Sequence, residues 1–301
     1  MTTDKMQTSR FELKYITDER TALQIRDFVR AFLDLDENGV GKPNYSYPVH
    51  SVYLDSDIMT TYWDTINGNK NRFKLRIRFY NDNPDTPVFF EIKRRMNNCI
   101  RKQRGAVRRE SVQRIVDGFF PGPEDMMSNN PKHITAVQNF VRLSQMIGAM
   151  PKVHVAYLRE AYVPHDDNSC RLTMDRQVCS DPEPVLRLCT KMVNPICVWG
   201  EAVVVELKFT NRFPNWFGDL VRVFGLKQCG AAKYADGVSL LDGRMPRHKH
   251  MPGETQSLGW DDTIRDAKDR PSPLGCTGAA RREGALEPQP LTGSRDFVSQ
   301  S

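Results

Sequence analysis

Arg72-Phe73-Lys74-Leu75-Arg76-Ile77-Arg78-Phe79 alternates strictly between basic and apolar side chains. Such alternation is typical of a β-strand, because successive side chains of a strand point to opposite faces of the sheet. One face of this strand therefore carries four cations, and the other carries four large apolar groups. The segment predicts a sheet with one apolar face that needs cover and one strongly charged face.

Four further segments pair an apolar face with a charged face, and each sets a carboxylate among its charged residues. They are Phe11-Glu12-Leu13-Lys14-Tyr15, Phe89-Phe90-Glu91-Ile92-Lys93, Arg171-Leu172-Thr173-Met174-Asp175 and Val205-Glu206-Leu207-Lys208-Phe209. A single strand of this kind is usually half-exposed, with its charges in water. As a set, arginine-rich rows with neighbouring carboxylates favour charged faces that line an interior.

Three amphipathic segments can cover the apolar faces of these strands. The first helix is predicted to start at Thr17-Asp18-Glu19, the second to span residues 134–147 with Gly148 as its stop, and the third to span residues 216–227. If helices cover the outside, the charged faces must line a lumen. We therefore predict an α+β fold: a closed antiparallel β-barrel of about eight strands that forms a basic tunnel, with helices packed outside.

The folded domain is predicted to span residues 9–243. Residues 244–301 carry scattered proline, glycine, serine and charged residues, so they cannot bury enough apolar surface to offset the entropy of ordering, and we predict a disordered polar tail. The sequence has no apolar run of the roughly 18–20 residues that a membrane-spanning helix needs, so no membrane span is predicted. The seven cysteines include no Cys-x-x-Cys pair, which disfavours a disulfide framework or a zinc knuckle and predicts a reducing, cytoplasmic setting.

Basic residues are concentrated between residues 70 and 114, where fourteen cations are opposed by four acids, although the whole chain has a net charge of only +6. This concentration indicates a polyanionic partner: nucleic acid, acidic lipid or condensed phosphate. Two unit charges 4 Å apart repel by about 4 kcal/mol at an effective dielectric of about 20, so a cation-lined lumen requires water and anions. The charged face of the 72–79 strand has no interleaved aromatic side chains that would stack on bases, so we expect a phosphate chain rather than nucleic acid.

The order of these segments resembles the triphosphate tunnel metalloenzymes of the CYTH-like superfamily. More closely, the chain resembles the polyphosphate polymerase domain of the vacuolar transporter chaperone (VTC) family. The resemblance covers roughly residues 9–242, and it rests on the number and order of short motifs rather than on any one of them. The motifs are Arg10-Phe11-Glu12-Leu13-Lys14-Tyr15, Ser51-Val52-Tyr53-Leu54-Asp55-Ser56, Lys74-Leu75-Arg76-Ile77-Arg78, Phe90-Glu91-Ile92-Lys93, Arg101-Lys102-Gln103-Arg104, Tyr157-Leu158-Arg159-Glu160-Ala161-Tyr162, Arg171-Leu172-Thr173-Met174-Asp175, Glu206-Leu207-Lys208 and Lys233-Tyr234.

The resemblance implies an ATP:polyphosphate phosphotransferase that moves the γ-phosphate of ATP onto a polyphosphate chain with the help of a divalent metal, Mn²⁺ or Mg²⁺. ATP and polyphosphate would then be its partners. Carried over position by position, the catalytic cations are Arg76, Arg78, Lys93, Arg159 and Arg171, the further phosphate-binding residues are Lys14, Lys102 and Lys233, and the metal ligand is Glu206. Arg101 and Arg104 compete with Lys102 for its place.

The chemistry of the residues agrees with that implication, because phosphoryl transfer needs alignment and charge neutralisation more than it needs a protein nucleophile. Arg10 stands where hydrolytic tunnel enzymes carry the first glutamate of a Glu-x-Glu-x-Lys motif, which favours transfer over hydrolysis. A triphosphate or polyphosphate hydrolase on the same fold and a non-catalytic polyphosphate-binding module remain open alternatives. An RNA-binding protein is a further one.

Overall fold

The computed structural model describes residues 11–97, 99–166, 169–210, 212–241 and 244–245. Position 10 and nearly all of the predicted tail lie outside these residues. The strands are β1 (Phe11–Thr17), β2 (Asp34–Leu35), β3 (Tyr47–Asp55), β4 (Asn71–Phe79), β5 (Val88–Met96), β6 (Cys99–Val107), β7 (Met150–Val163), β8 (Cys170–Pro182), β9 (Ile196–Cys197) and β10 (Val203–Phe209). The α-helices are α1 (Glu19–Val29), α2 (Thr60–Ile66), α3 (Val112–Val116), α4 (Pro131–Ile147), α5 (Asn215–Val223) and α6 (Lys233–Leu240).

The strands form one curled antiparallel sheet in the order β1-β10-β8-β7-β3-β4-β5-β6, with β2 paired to β7 and β9 paired to β8. The prediction of a closed barrel is wrong, because β1 and β6 are the two ends of this order and do not pair in the described chain. Pairing them would bring the lysine of β1 close to the cationic row Arg101-Lys102-Gln103-Arg104 of β6. Like charges that face each other across two strands are destabilising, and charged edge strands resist further pairing.

The outer face of the sheet carries the apolar half of each alternating strand. Leu75, Ile77 and Phe79 of β4 are completely buried, in one cluster with Val137 and Phe140 of α4. The contact between α4 and the sheet is close at Gly105 of β6, where an added Cβ would lie 2.5 Å from a backbone carbonyl of the helix. A glycine is therefore required there, and the apolar face has the helical cover that its sequence predicts.

The three helices expected from the sequence are present with shifted ends. α1 starts after Asp18, whose carboxylate accepts a hydrogen bond from the backbone N–H of Thr21 over 2.7 Å. α4 begins three residues before the predicted start and ends before Gly148, which has a φ of 59°. α5 ends at Val223 rather than at residue 227, and Gly225 just beyond it has a φ of 58°.

Helix α6 was not predicted, and it lies beside the charged face of the sheet. Its residue Tyr234 stacks on Tyr53 of β3 with ring centroids 4.7 Å apart. The Tyr234 hydroxyl donates to the buried Asp55 carboxylate over 2.7 Å, and Asp55 also accepts from the backbone N–H of Thr61 at the start of α2. Asp55 thereby links α2, α6 and β3, and it holds Lys233, the first residue of α6, against the charged face.

Candidate functional site

The charged face of the curled sheet encloses a cavity of about 790 Å³, which we call the basic groove. Thirteen basic side chains and two carboxylates line it. The basic residues are Lys14, Arg72, Lys74, Arg76, Arg78, Lys93, Arg95, Lys102, Arg104, Arg159, Arg171, Lys208 and Lys233, and the acids are Glu12 and Glu206. The lining of the groove therefore carries a large excess of positive charge.

Glu91 of β5 anchors one group of cations in the groove. Its side chain is completely buried, and strand register sets it between Arg76 of β4 and Arg104 of β6. Its carboxylate lies 2.6 Å from Nη2 of Arg76, 2.7 Å from Nζ of Lys102 and 3.4 Å from Nε of Arg104. Burial raises the pKa of Glu91, but the charges of Lys102 and Arg76 outweigh burial and hold that pKa well below its ordinary value.

Glu206 of β10 anchors a second group of cations. Its Oε1 lies 2.8 Å from Nζ of Lys233, and its Oε2 lies 2.5 Å from Nζ of Lys208 and 3.5 Å from Nη2 of Arg159. Lys14, its cross-strand partner on β1, is 3.7 Å away. Burial raises the pKa of Glu206, and the surrounding ammonium groups, Lys208 first, overcome this effect and hold the pKa well below its ordinary value.

Asp175 of β8 orients two of these cations. It accepts two hydrogen bonds of 2.7 Å from the guanidinium of Arg159, its cross-strand partner on β7. Nζ of Lys233 lies 2.7 Å from the same carboxylate. A bidentate pair fixes the plane of a guanidinium, so Arg159 is held in one orientation at the wall of the groove.

Two tyrosine hydroxyls and a serine hold further arginines of the same wall. Arg78 donates to the Ser51 Oγ and to the Tyr157 hydroxyl, each over 3.1 Å. Arg76 donates to the Tyr53 hydroxyl over 3.2 Å. These neutral partners help to orient the guanidinium groups, and the charge of Arg76 is balanced separately by Glu91 at 2.6 Å.

A salt bridge crosses the gap between edge strand β1 and β5, the strand next to the other edge. Nζ of Lys93 on β5 lies 2.8 Å from Oε2 of Glu12 on β1. Burial raises the pKa of Glu12, but Lys93 and Lys14 outweigh it and lower that pKa far below the ordinary value. Side chains of β1 and β5 are therefore in contact across the gap, although β1 and β6 do not pair through their backbones in the described chain.

Lys74 also lines the groove, and the charged groups that act on it most strongly are cations and not a carboxylate. Burial, followed by the charges of Lys14, Lys93 and Arg72, lowers the pKa of Lys74 to about 7, and Asp236 opposes this only weakly. Its ammonium lies 5.6 Å from the ring centroid of Tyr234. The charged form of Lys74 is therefore stabilised when an anion arrives.

All nine residues that the sequence singled out line the basic groove: Arg76, Arg78, Lys93, Arg159, Arg171, Lys14, Lys102, Lys233 and Glu206. Arg171 is held at 2.7 Å by Asp36. Of the two competitors of Lys102, Arg104 lines the groove as well and Arg101 is not among its lining residues. Arg10 lies outside the described residues, so its relation to the groove stays a prediction.

The sequence-based selection missed several lining groups. Arg72 and Lys74 precede Arg76 by four and two residues on the same strand face, so the alternation itself was the available signal. Tyr157 stands two residues before the selected Arg159, and Asp175 stands four residues after the selected Arg171. Glu91 was noted only as a charged neighbour of Lys93, since nothing in a single sequence says which strand will lie opposite it.

Two carboxylates of the groove, Glu12 and Glu206, are candidate ligands for a divalent metal. Glu12 and Glu206 are on paired strands, and both face the ammonium of Lys14, at 3.4 and 3.7 Å. Oε1 of Glu12 is buried and accepts no hydrogen bond of good geometry in the described part of the chain. Hard oxygen donors of this kind suit Mg²⁺ or Mn²⁺ when phosphate oxygens complete the coordination. The described residues contain no cluster of three His, Cys, Asp or Glu side chains that could hold a metal alone.

Comparisons with known proteins bear on the whole folded region. A family model described as VTC domain matches residues 9–242. Among solved structures, a Bacillus halodurans protein described as a candidate adenylate cyclase aligns with a TM-score of 0.45 and 11% identity, over 75% of this chain and 95% of that one. A Pyrococcus horikoshii protein aligns with a TM-score of 0.38 and 12% identity, over 78% and 99% of the two chains. No curated protein matches the chain significantly.

Within the described ranges, no helix is both long enough and apolar enough to cross a membrane.

Proposed function

The chain belongs to the VTC domain family, and from that premise we propose that it transfers the γ-phosphate of ATP onto a polyphosphate chain held in the basic groove. Membership places it among proteins that handle triphosphate and polyphosphate. The observation that carries the finer proposal is the lining of the groove, thirteen cations against two carboxylates around about 790 Å³. A flexible chain of phosphates can neutralise many cations along one groove.

The proposed roles follow from how each cation is held. Arg76 and Arg159, oriented by Glu91 and Asp175, grip the oxygens of the transferring phosphate as planar forks. Arg78, Arg171 and Lys93 hold the neighbouring phosphates in line. Lys14, Lys102 and Lys233 supply point charges along the chain. No protein nucleophile is needed, because the terminal phosphate of the growing chain is the acceptor.

Glu206, with Glu12 beside it, would hold a divalent metal, Mn²⁺ or Mg²⁺. When bound there, the metal supplies further positive charge to phosphate oxygens during transfer. The cysteine usage of the chain supports a cytoplasmic setting, where ATP is abundant.

The experiment that tests this proposal incubates purified protein with γ-labelled ATP and Mn²⁺ and separates the products on a polyphosphate gel. Label in long chains, with ADP formed in equal amount, is the expected result. Label released mainly as free phosphate at early times would replace the proposal with a hydrolase on the same groove. Tripolyphosphate binding without any turnover would leave a binding module.

A further inference from the structure

Two cysteines face each other on paired strands and are absent from the lining of the basic groove. Cys179 of β8 is the cross-strand partner of Cys197 of β9, and their Sγ atoms lie 3.6 Å apart. The backbone N–H of Val198 donates to the carbonyl of Val178 over 2.8 Å, so the cysteines occupy the adjacent non-hydrogen-bonded position. Cα atoms at such a position are about 4.5 Å apart, which is at the short end of the range of about 4.4–6.8 Å that disulfides accept.

We propose that Cys179 and Cys197 form a redox-modification site, at which a small-molecule disulfide such as glutathione disulfide converts the two thiols into an intramolecular disulfide. Cys197 is exposed and Cys179 is partly exposed, so an oxidant of that size can reach the pair. Disulfides that are exposed and geometrically tight are the readily reversible ones. The site is therefore a dithiol in a reducing setting and closes when the thiol pool becomes oxidised. This inference is independent of the phosphate-transfer proposal.

The reaction balances through two exchange steps. The Cys197 thiolate attacks one sulfur of glutathione disulfide, forms a mixed disulfide and releases one glutathione thiolate. The Cys179 thiolate then attacks the Cys197 sulfur and releases the second glutathione. Two protein thiols are oxidised, one glutathione disulfide is reduced to two thiols, and the two protein protons pass to the released thiolates.

Both steps depend on pH, because a thiolate is the attacking group in each. Burial, and then the contact with Cys197, raises the pKa of the Cys179 thiol to about 11. The reactive thiolate of Cys179 is therefore scarce at neutral pH, and closure speeds up as the pH rises.

The disulfide would covalently link the two ends of the segment between the cysteines, residues 180–196. That segment is already attached to the rest of the domain, because the backbone N–H of Thr190 donates to Asp82 over 2.7 Å and that of Val193 donates to Asp181 over 2.8 Å. A covalent link across a segment that is already ordered constrains the unfolded chain more than the folded one. We therefore expect a higher melting temperature for the oxidised protein, reversed by a reducing agent.

Tryptic peptide mapping of the full chain tests the proposal directly. Trypsin separates the cysteines, because Cys179 lies on peptide 177–187, Cys189 on peptide 188–191 and Cys197 on peptide 192–208. After treatment with glutathione disulfide and alkylation of remaining thiols, the expected product is peptide 177–187 joined to peptide 192–208, and dithiothreitol should separate them. A link from Cys197 to Cys189, or a stable glutathione adduct on Cys197 without the joined peptide, would overturn the proposal.

Two matched cysteine variants distinguish loss of the disulfide from a general folding defect. Cys197→Ser changes an exposed side chain, and it should abolish both the joined peptide and the oxidant-induced rise in melting temperature. Cys189→Ser removes an exposed cysteine from the same segment and should preserve both effects. A rise in melting temperature that persists in Cys197→Ser, or that disappears in Cys189→Ser, would contradict the assignment.

Discussion

Glu91→Gln removes the buried charge that anchors one half of the basic groove while it preserves the shape of the side chain. Loss of one partner from a buried ion pair costs about 3–5 kcal/mol. The lower end applies here, because Lys102 and Arg104 have side chains 43% and 36% exposed and can turn to solvent, whereas Arg76 and Arg78 cannot. We therefore expect a loss of about 3 kcal/mol, which lowers the melting temperature of a folded region of this size by about 6–12 °C.

A polyanion should stabilise the Glu91→Gln variant against unfolding by more than it stabilises the wild type. In the wild type, the Glu91 carboxylate repels a phosphate charge about 10 Å away by about 1.7 kcal/mol at an effective dielectric of about 20. The variant lacks this repulsion, so the ligand should bind to it more than tenfold more tightly. Tripolyphosphate at 100 times its dissociation constant stabilises the wild type by about 2.7 kcal/mol, and the same concentration stabilises the variant by about 4.1 kcal/mol. The difference is an extra rise of about 3–6 °C in the melting temperature of the variant.

The assay is thermal unfolding at low salt, with and without tripolyphosphate, because salt screens the charges involved. Glu183→Gln is the matched control, since Glu183 is also buried and pairs with Arg187 at 2.5 Å, yet neither residue lines the basic groove. Both variants should be less stable than the wild type, and only Glu91→Gln should show the enlarged ligand effect. Equal ligand shifts in the two variants would refute the view of Glu91 as the counter-charge of the groove.

Three other predictions test individual groups. Glu206→Gln should abolish phosphate transfer while tripolyphosphate binding persists, as measured by labelled-ATP turnover and by calorimetry; wild-type turnover of the variant in saturating Mn²⁺ would remove Glu206 from the site. Arg159→Lys keeps the charge but loses the bidentate pair with Asp175, which costs about 1.5–3 kcal/mol. We therefore expect kcat/KM to fall about ten- to hundredfold. An unchanged kcat/KM would contradict a role for the fixed orientation of the Arg159 guanidinium. Lys74, with a pKa lowered to about 7, is mostly neutral in the empty groove above that pH and should take up a proton when a phosphate chain raises its pKa. Tripolyphosphate affinity should therefore fall as the pH rises from 7 to 9. In Lys74→Met this fall should be smaller, and so should the proton uptake on binding, measured by calorimetry in buffers of different ionisation enthalpy. Identical pH slopes for the variant and the wild type would show that another group titrates.

The strands and their two faces could be predicted because alternation is a local property. Arg76 and Leu75 are neighbours in the chain, and strand geometry alone sends one to the groove and the other to the core, where Leu75 is completely buried. The same rule brings the selected residues of β1, β8 and β10 to one face. The resemblance then supplied which of those cations to select, and all of the selected residues line the groove.

Closure of the sheet and the position of α6 could not be predicted in this way, because they depend on contacts between distant parts of the chain. Whether β1 pairs with β6 depends on the charges that would face each other across the join, and periodicity does not report on them. Likewise, α6 is short, and its position depends on Tyr234 reaching Asp55, a contact between residues 179 positions apart. Lys233 was selected from the resemblance, while the helix that presents it was not foreseen.

The buried carboxylates reconcile two demands on the groove, a strong positive charge and fixed positions for the cations that carry it. Glu91 and Asp175 each hold an arginine whose orientation is set before any phosphate arrives, so little side-chain freedom is lost on binding. The same carboxylates repel the ligand, because they add negative charge beside it. When one of these carboxylates is neutralised, the affinity for phosphate should therefore rise and the rate of transfer should fall. Glu91→Gln should bind tripolyphosphate more tightly and transfer phosphate more slowly, because Arg76 keeps its charge and loses its orientation. A variant that gains both affinity and turnover would mean that orientation contributes nothing, and the groove would then act as a reservoir of positive charge alone.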